Sequence, residues 1–146
     1  MRYRAAALAA AALVAGTAAS AEFRAIGDAP AILYDAPSVK ADRLFVASRG
    51  YPFEVLVRLD QWTKVRDVTG EVTWVESRAL GTQRTVMVNV AVADVRAAPD
   101  GQSDLVFEAL SQVLLEVLEP PAQGWVRVRH RDGPTGYVRV AHLWGL

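Results

Sequence analysis

Few side chains in this 146-residue chain are equipped for covalent chemistry. There is no cysteine, so a thiol nucleophile, a disulfide, a CxxC redox pair and a zinc–thiolate site are all excluded. The two histidines, His130 and His142, do not have the tight spacing of a helical zinc motif, and no supporting carboxylate arrangement accompanies them. No Ser/His/Asp ordering, P-loop or GxGxxG is present. Two carboxylates, Glu54 and Glu116, stand at equivalent places in an internal repeat. A glycosidase pair must face each other across a cleft at roughly 5 to 9 Å, whereas equivalence in a repeat suits a structural role. What remains is recognition chemistry. Trp62, Trp74, Trp125 and Tyr137 offer flat apolar area with a polar handle, suited to a peptide or a sugar face. Arg66 and Arg129 can present a guanidinium to a carboxylate. The expectation is a binding protein with no enzymatic activity, no metal and no cofactor.

These residues are positioned by a repeat. AILYDAPS beginning at Ala31 lies on ADVRAAPD beginning at Ala93, an offset of about 62 residues that is broken once, by the inserted Gly124. Pro37 then meets Pro99, Phe45 meets Phe107, and Glu54-Val55-Leu56 meets Glu116-Val117-Leu118. Beyond the insertion Trp62 matches Trp125, Val65-Arg66 matches Val128-Arg129, Gly70 matches Gly133, Val75 matches Val138 and Leu80 matches Leu143. Roughly 16 identities over about 50 aligned positions, tryptophan and glycine among them, establish two copies of one unit.

Each unit alternates short Val/Leu/Phe/Trp-rich runs with turn residues, the pattern of a small all-β sandwich or barrel. Strands are expected near 31–35, 43–47, 53–58, 62–67 and 72–77, and again near 93–97, 106–109, 113–118, 125–130 and 135–140. A single 3₁₀ turn is expected to close each unit before Leu80 and Leu143. The first unit is assigned to residues 22–81, a linker to 82–85 and the second unit to 86–146. So short a linker predicts a fixed or semi-fixed pair. Strand alternation turns Val65, Val128, Val75 and Val138 inward. It therefore turns Trp62, Arg66 and Trp74 outward on the first unit, and Trp125, Arg129 and Tyr137 outward on the second. The same aromatics would also serve to cover a barrel or pack one unit on the other, and the arginine stems to cover a tryptophan face.

The first residues, MRYRAAALAAAALVAGTAASA, place Arg2 and Arg4 before an Ala-rich apolar run and a small-residue site, the pattern of a secretory signal peptide over 1–21 cleaved after Ala21. The apolar run is shorter than the ~20 residues that span a bilayer. Export to the periplasm or beyond is expected, with no integral membrane segment left after cleavage. Removal of Arg2 and Arg4 leaves 14 basic against 16 acidic residues, a formal −2. That balance argues against a nucleic-acid partner, which calls for a clearly basic face.

The second unit carries Val95-Arg96-Ala97-Ala98-Pro99, Gly124-Trp125-Val126-Arg127-Val128, Gly133 and Gly136-Tyr137-Val138 through to Leu143. The first carries Pro37, Gly50-Tyr51-Pro52-Phe53-Glu54-Val55, Trp62 through Asp67, Gly70 and Trp74-Val75. Together they resemble the bacterial SH3 domain family, in its tandem, exported form. The resemblance implies two SH3-like β-barrels and a binding or targeting role, with peptidoglycan peptides or another envelope protein as partner. Such domains often accompany wall hydrolases whose cysteine nucleophile this chain lacks. Departures from the family pattern are Tyr34 in place of arginine, Thr73 in place of glycine and Tyr137 in place of tryptophan. One arrangement these departures allow is a first barrel that only supports a binding second one.

Overall fold

The computed structural model describes residues 19–146, so the segment read as a signal peptide lies, except for its last three residues, outside the described residues. Strands β1 (Glu22–Ala25), β2 (Ala31–Tyr34), β3 (Arg43–Ala47), β4 (Pro52–Arg58), β5 (Trp62–Arg66) and β6 (Val72–Glu76) form one antiparallel sheet in the order β1-β4-β5-β6-β2-β3. Strands β7 (Thr85–Val88), β8 (Val92–Arg96), β9 (Leu105–Leu110), β10 (Leu114–Val117), β11 (Trp125–Arg129), β12 (Thr135–Arg139) and β13 (Leu143–Trp144) form the second, ordered β13-β7-β10-β11-β12-β8-β9. The protein is all-β, two SH3-like barrels in tandem. Among the described residues no helix is long and apolar enough to cross a membrane.

The repeat read from sequence is a repeat in space. Strand β1 pairs with β4 as β7 pairs with β10, and the Ile26–Leu80 bridge has its counterpart in Val88–Leu143. The expected 3₁₀ turns lie at Ser77–Ala79 and Val140–His142. Each barrel has its own core. Leu33, Phe53, Val65 and Val75 fill the first, and Val95, Leu115, Val128 and Val138 take the same places in the second. Inward alternation of the valines therefore holds, because a half-exposed sheet must send every second side chain to its core.

Three strands, β1, β7 and β13, are absent from the sequence-based expectation. At four, four and two residues they are too short for a period-two pattern to stand out. Strand β7, which begins at Thr85, is unusual because all four of its residues are buried. Val86 and Val88 belong to the second core, so alternation turns Thr85 and Met87 to the opposite side, where the first barrel lies. There a Cβ on Gly50 would touch the Thr85 side chain at 3.7 Å, and one on Gly145 would lie 3.3 Å from the Cβ of Pro52. The Phe23 and Trp144 rings meet edge to face at 5.0 Å, and Arg84 donates to the Gly145 carbonyl at 3.1 Å. The two barrels share a packed seam.

The strand crossing that ties β12 to β8 in the second barrel depends on a missing side chain. A Cβ at Gly136 would lie 2.7 Å from both the Arg96 carbonyl oxygen and a Val95 methyl. In the first barrel Thr73 occupies this position, buried, with no hydrogen-bond partner for its hydroxyl. Gly136→Ala is therefore expected to lower stability by about 1–3 kcal/mol through overpacking, read as a reduced urea midpoint with unchanged slope. An unaltered midpoint would show that the crossing tolerates separation.

Candidate functional site

Hairpin registers decide what each outward aromatic faces. In the first barrel Trp62 stands opposite Glu76, and Trp74 stands opposite Lys64. The two tryptophans are thus diagonal neighbours on the same outer face, both half-buried. The ring that Trp62 meets is Tyr34, edge to face at 5.3 Å and 87°. Tyr34 is only 4 % exposed and pairs in register with Trp74, so it stands on the same face as the two tryptophans, across the β2–β6 ladder from one and edge-on to the other. The Lys64 ammonium sits 5.7 Å from the centre of the Trp74 ring, within the range of a cation–π contact.

The second barrel is built from the same positions and closes the face differently. Opposite Trp125 is Arg139, whose guanidinium carbon lies 4.7 Å from the ring centre. Tyr137 stands opposite Arg127 on one side and Arg96 on the other. Arg96 donates to the Asp94 carboxylate at 2.7 Å and to the Ser103 carbonyl at 2.8 Å, and Arg127 donates to Glu119 at 2.9 Å. The Trp125 face is therefore capped by the protein's own cation. Glu76 replaces Arg139 at the matching place in the first barrel, where Arg78 donates to it at 2.7 Å. Among the described residues no cation lies over Trp62, and its ring and ladder neighbours, Tyr34 and Glu76, line a groove of about 580 Å³ together with residues 28–30, the start of β2 and Arg78.

Arg66 and Arg129, expected beside the tryptophans, are held elsewhere. Arg66 donates to Glu54 at 3.1 Å, and Arg129 donates twice to Glu116, at 2.9 and 2.6 Å. Each pair is a direct cross-strand neighbour in the β4–β5 or β10–β11 ladder, which brings opposite charges together more readily than an arginine reaches a ring four residues away on its own strand. Glu54 and Glu116 accordingly act as structural partners of the repeat. Among the described residues, the cations that lie on tryptophan are Lys64 and Arg139. Both were discoverable from the hairpin register, which fixes what lies across the ladder from each aromatic. Tyr34 stands out in sequence as a departure from the family pattern, and its place against Trp62 follows only from the β2–β6 pairing. His130 contacts Asp132 at 3.3 Å, while the His142 Nδ1 is buried without a partner. Among the described residues no three His, Asp or Glu side chains gather as metal ligands.

Burial pushes the Glu116 carboxyl up, but hydrogen bonds from Arg129 and Gln83, with the Arg129 charge, outweigh it and hold the group below its ordinary 4.5. A depressed carboxyl stabilises the fold above its unfolded pKa, and this contribution is lost as pH falls through the folded value. The pair is partly solvated, with side chains 47 % and 26 % exposed, so its contribution is at most about 1 kcal/mol. Glu116→Gln is expected to flatten the acid limb of stability below pH 4.5 by that amount in urea titrations at stepped pH. Parallel curves for the two proteins would contradict the pairing.

Two bacterial SH3 domain models match the chain, one over residues 27–81 and the other over 91–143. Among curated proteins none matches. Solved structures similar to it include NlpC2 and NlpC1 from Trichomonas vaginalis, each 15% identical with a TM-score of 0.39, covering 88% and 92% of this chain. A further one is an NlpC/P60 family protein from Bacillus cereus, 14% identical over 84% of this chain with a TM-score of 0.37. The chain spans 49%, 50% and 56% of those three structures respectively. Two profiles of one family thus fall on the two barrels, at the units that the repeat and the sheets delimit independently. The chain belongs to the bacterial SH3 domain family, two of whose domains it carries in tandem.

Proposed function

We propose that this protein is a non-catalytic module of the cell envelope that binds peptidoglycan peptides, and that the outer face of its first barrel is the working surface. Family membership supports the partner, since bacterial SH3 domains often bind peptidoglycan. The observation that carries the site is the uncapped Trp62, whose ring neighbour Tyr34 and ladder neighbour Glu76 line a groove. Aromatic faces pack against the flat amide planes and methyl groups of a short peptide, and a carboxylate accepts from its amines. Trp125 presents the same ring, but a ligand would first have to displace Arg139. The signal-peptide pattern at the N-terminus fits a periplasmic or secreted location, and the near-neutral charge fits a partner other than nucleic acid.

A second reading has its own observation. Strand β9 is one edge of the second sheet, and it exposes Leu105, Val106 and Leu110, the last at 61 %. An apolar unpaired edge can accept a strand from another protein, which would make the chain an interaction or assembly factor.

Co-sedimentation with insoluble peptidoglycan separates the two. The full exported chain is expected to pellet with the wall material. Trp62→Ala combined with Trp74→Ala is expected to weaken binding by about tenfold, the scale of losing an aromatic anchor, with the circular dichroism spectrum unchanged. A folded double variant that pellets as well as the parent would remove the aromatic face from the account. Failure of the parent to pellet would leave the strand-edge reading.

A further inference from the structure

The seam between the barrels forms a second groove of about 950 Å³. The first barrel contributes its Ser48–Gly50 turn, and the second contributes Val113 and Leu114 as apolar wall with Arg129 to Asp132 as rim. Its charges are unequally committed. Glu116 and Arg129 satisfy each other through two hydrogen bonds. Asp132 is approached by His130 at 3.3 Å and only distantly by Arg131 at 3.9 Å. Arg131 is 90 % exposed. Arg49 is 65 % exposed, and among the described residues its one ionic contact is a long 3.6 Å approach to a fully exposed Asp28. Two guanidinium groups, one from each barrel, therefore stand at the groove with hydrogen-bonding capacity unspent. A guanidinium is weakly hydrated and matches a carboxylate with a planar two-donor fork.

The Arg49–Asp28 approach also links the two grooves, because Asp28 belongs to the wall of the Tyr34 groove and Arg49 to the seam. We infer that the seam is a carboxylate-reading subsite, in which Arg49 and Arg131 bind the free carboxylates of an extended peptide whose body lies toward the Tyr34 groove. This assignment rests on the peptide-binding reading above and adds to it which groups of the ligand are recognised and why two barrels are needed. A single barrel would supply one arginine and half the groove. The packed seam holds both halves at a fixed separation, so little ordering of the protein is required on binding.

The test is calorimetric titration of the full chain with a synthetic wall tetrapeptide, alanyl-γ-glutamyl-lysyl-alanine, bearing free carboxylates, and with the same peptide amidated at both. Arg49→Ala/Arg131→Ala is expected to bind the free acid about tenfold more weakly than the parent does. Amidation should weaken the parent by a similar factor and the variant by little more, since the groups that read the carboxylates are already gone. Both side chains are exposed, so an unchanged melting curve is expected to accompany the loss. Equal affinity of parent and variant for the free acid, or of the parent for acid and amide, would overturn the seam assignment and leave peptidoglycan binding standing. A parent that neither titrates with the peptide nor pellets with peptidoglycan would overturn both.

Discussion

Burial of strand β7 from both sides is the constraint on which the rest of the molecule depends. Val86 and Val88 belong to the second core while Thr85 and Met87 are buried on the opposite side, so one four-residue strand serves both a core and an interface. Neither small barrel buries much apolar surface by itself, and a shared strand lets two modest cores support each other. The chain around it conforms. Gly145 brings the C-terminal segment against Pro52 and the β7 backbone where a side chain would crowd them, and Trp144 crosses to Phe23. A two-domain protein with a loose linker would have two separate surfaces. This one has a seam with fixed walls and two grooves linked by one residue pair.

Within that frame, repetition of the scaffold has not meant repetition of the surface. The ladder positions that hold the strands together repeat faithfully, as the Glu54–Arg66 and Glu116–Arg129 pairs show. The positions across from the aromatics do not. Glu76 in one barrel is Arg139 in the other, and Tyr34 is Arg96. Each exchange changes the sign or nature of what meets an outer aromatic. In the second barrel a cation caps the ring, and in the first an aromatic supports it and leaves it open. A single ligand is therefore not expected to see two equivalent sites.

The fold was legible in the sequence because its signals are local and doubled. Strand alternation, turn residues and the register of Trp62 on Trp125 require only a few neighbouring residues to agree, and the second copy confirms the first. The seam was not legible. Strand β7 and the closing Leu143–Trp144 pair carry no periodic signature, and their role is set by contacts across long stretches of chain. The face was legible in part. Alternation sends Trp62, Trp74, Trp125 and Tyr137 outward, where the structure has them, half-buried. Which cation attends which ring depends on hairpin register, and proximity along one strand pointed to Arg66 and Arg129 when the ladder places Glu76 and Arg139 opposite the two tryptophans.

Central to this account is an unequal division of labour, in which the first barrel's open indole meets the ligand and the second barrel's capped indole does not. The chain has four tryptophans, and each gives a separate indole N–H resonance. Titration of the labelled protein with a soluble wall peptide, followed by proton–nitrogen correlation spectra, tests the claim most directly. The account predicts that the Trp62 indole shifts progressively to saturation while the Trp125 indole stays in place. Saturable movement of Trp125 with Trp62 unmoved would contradict it.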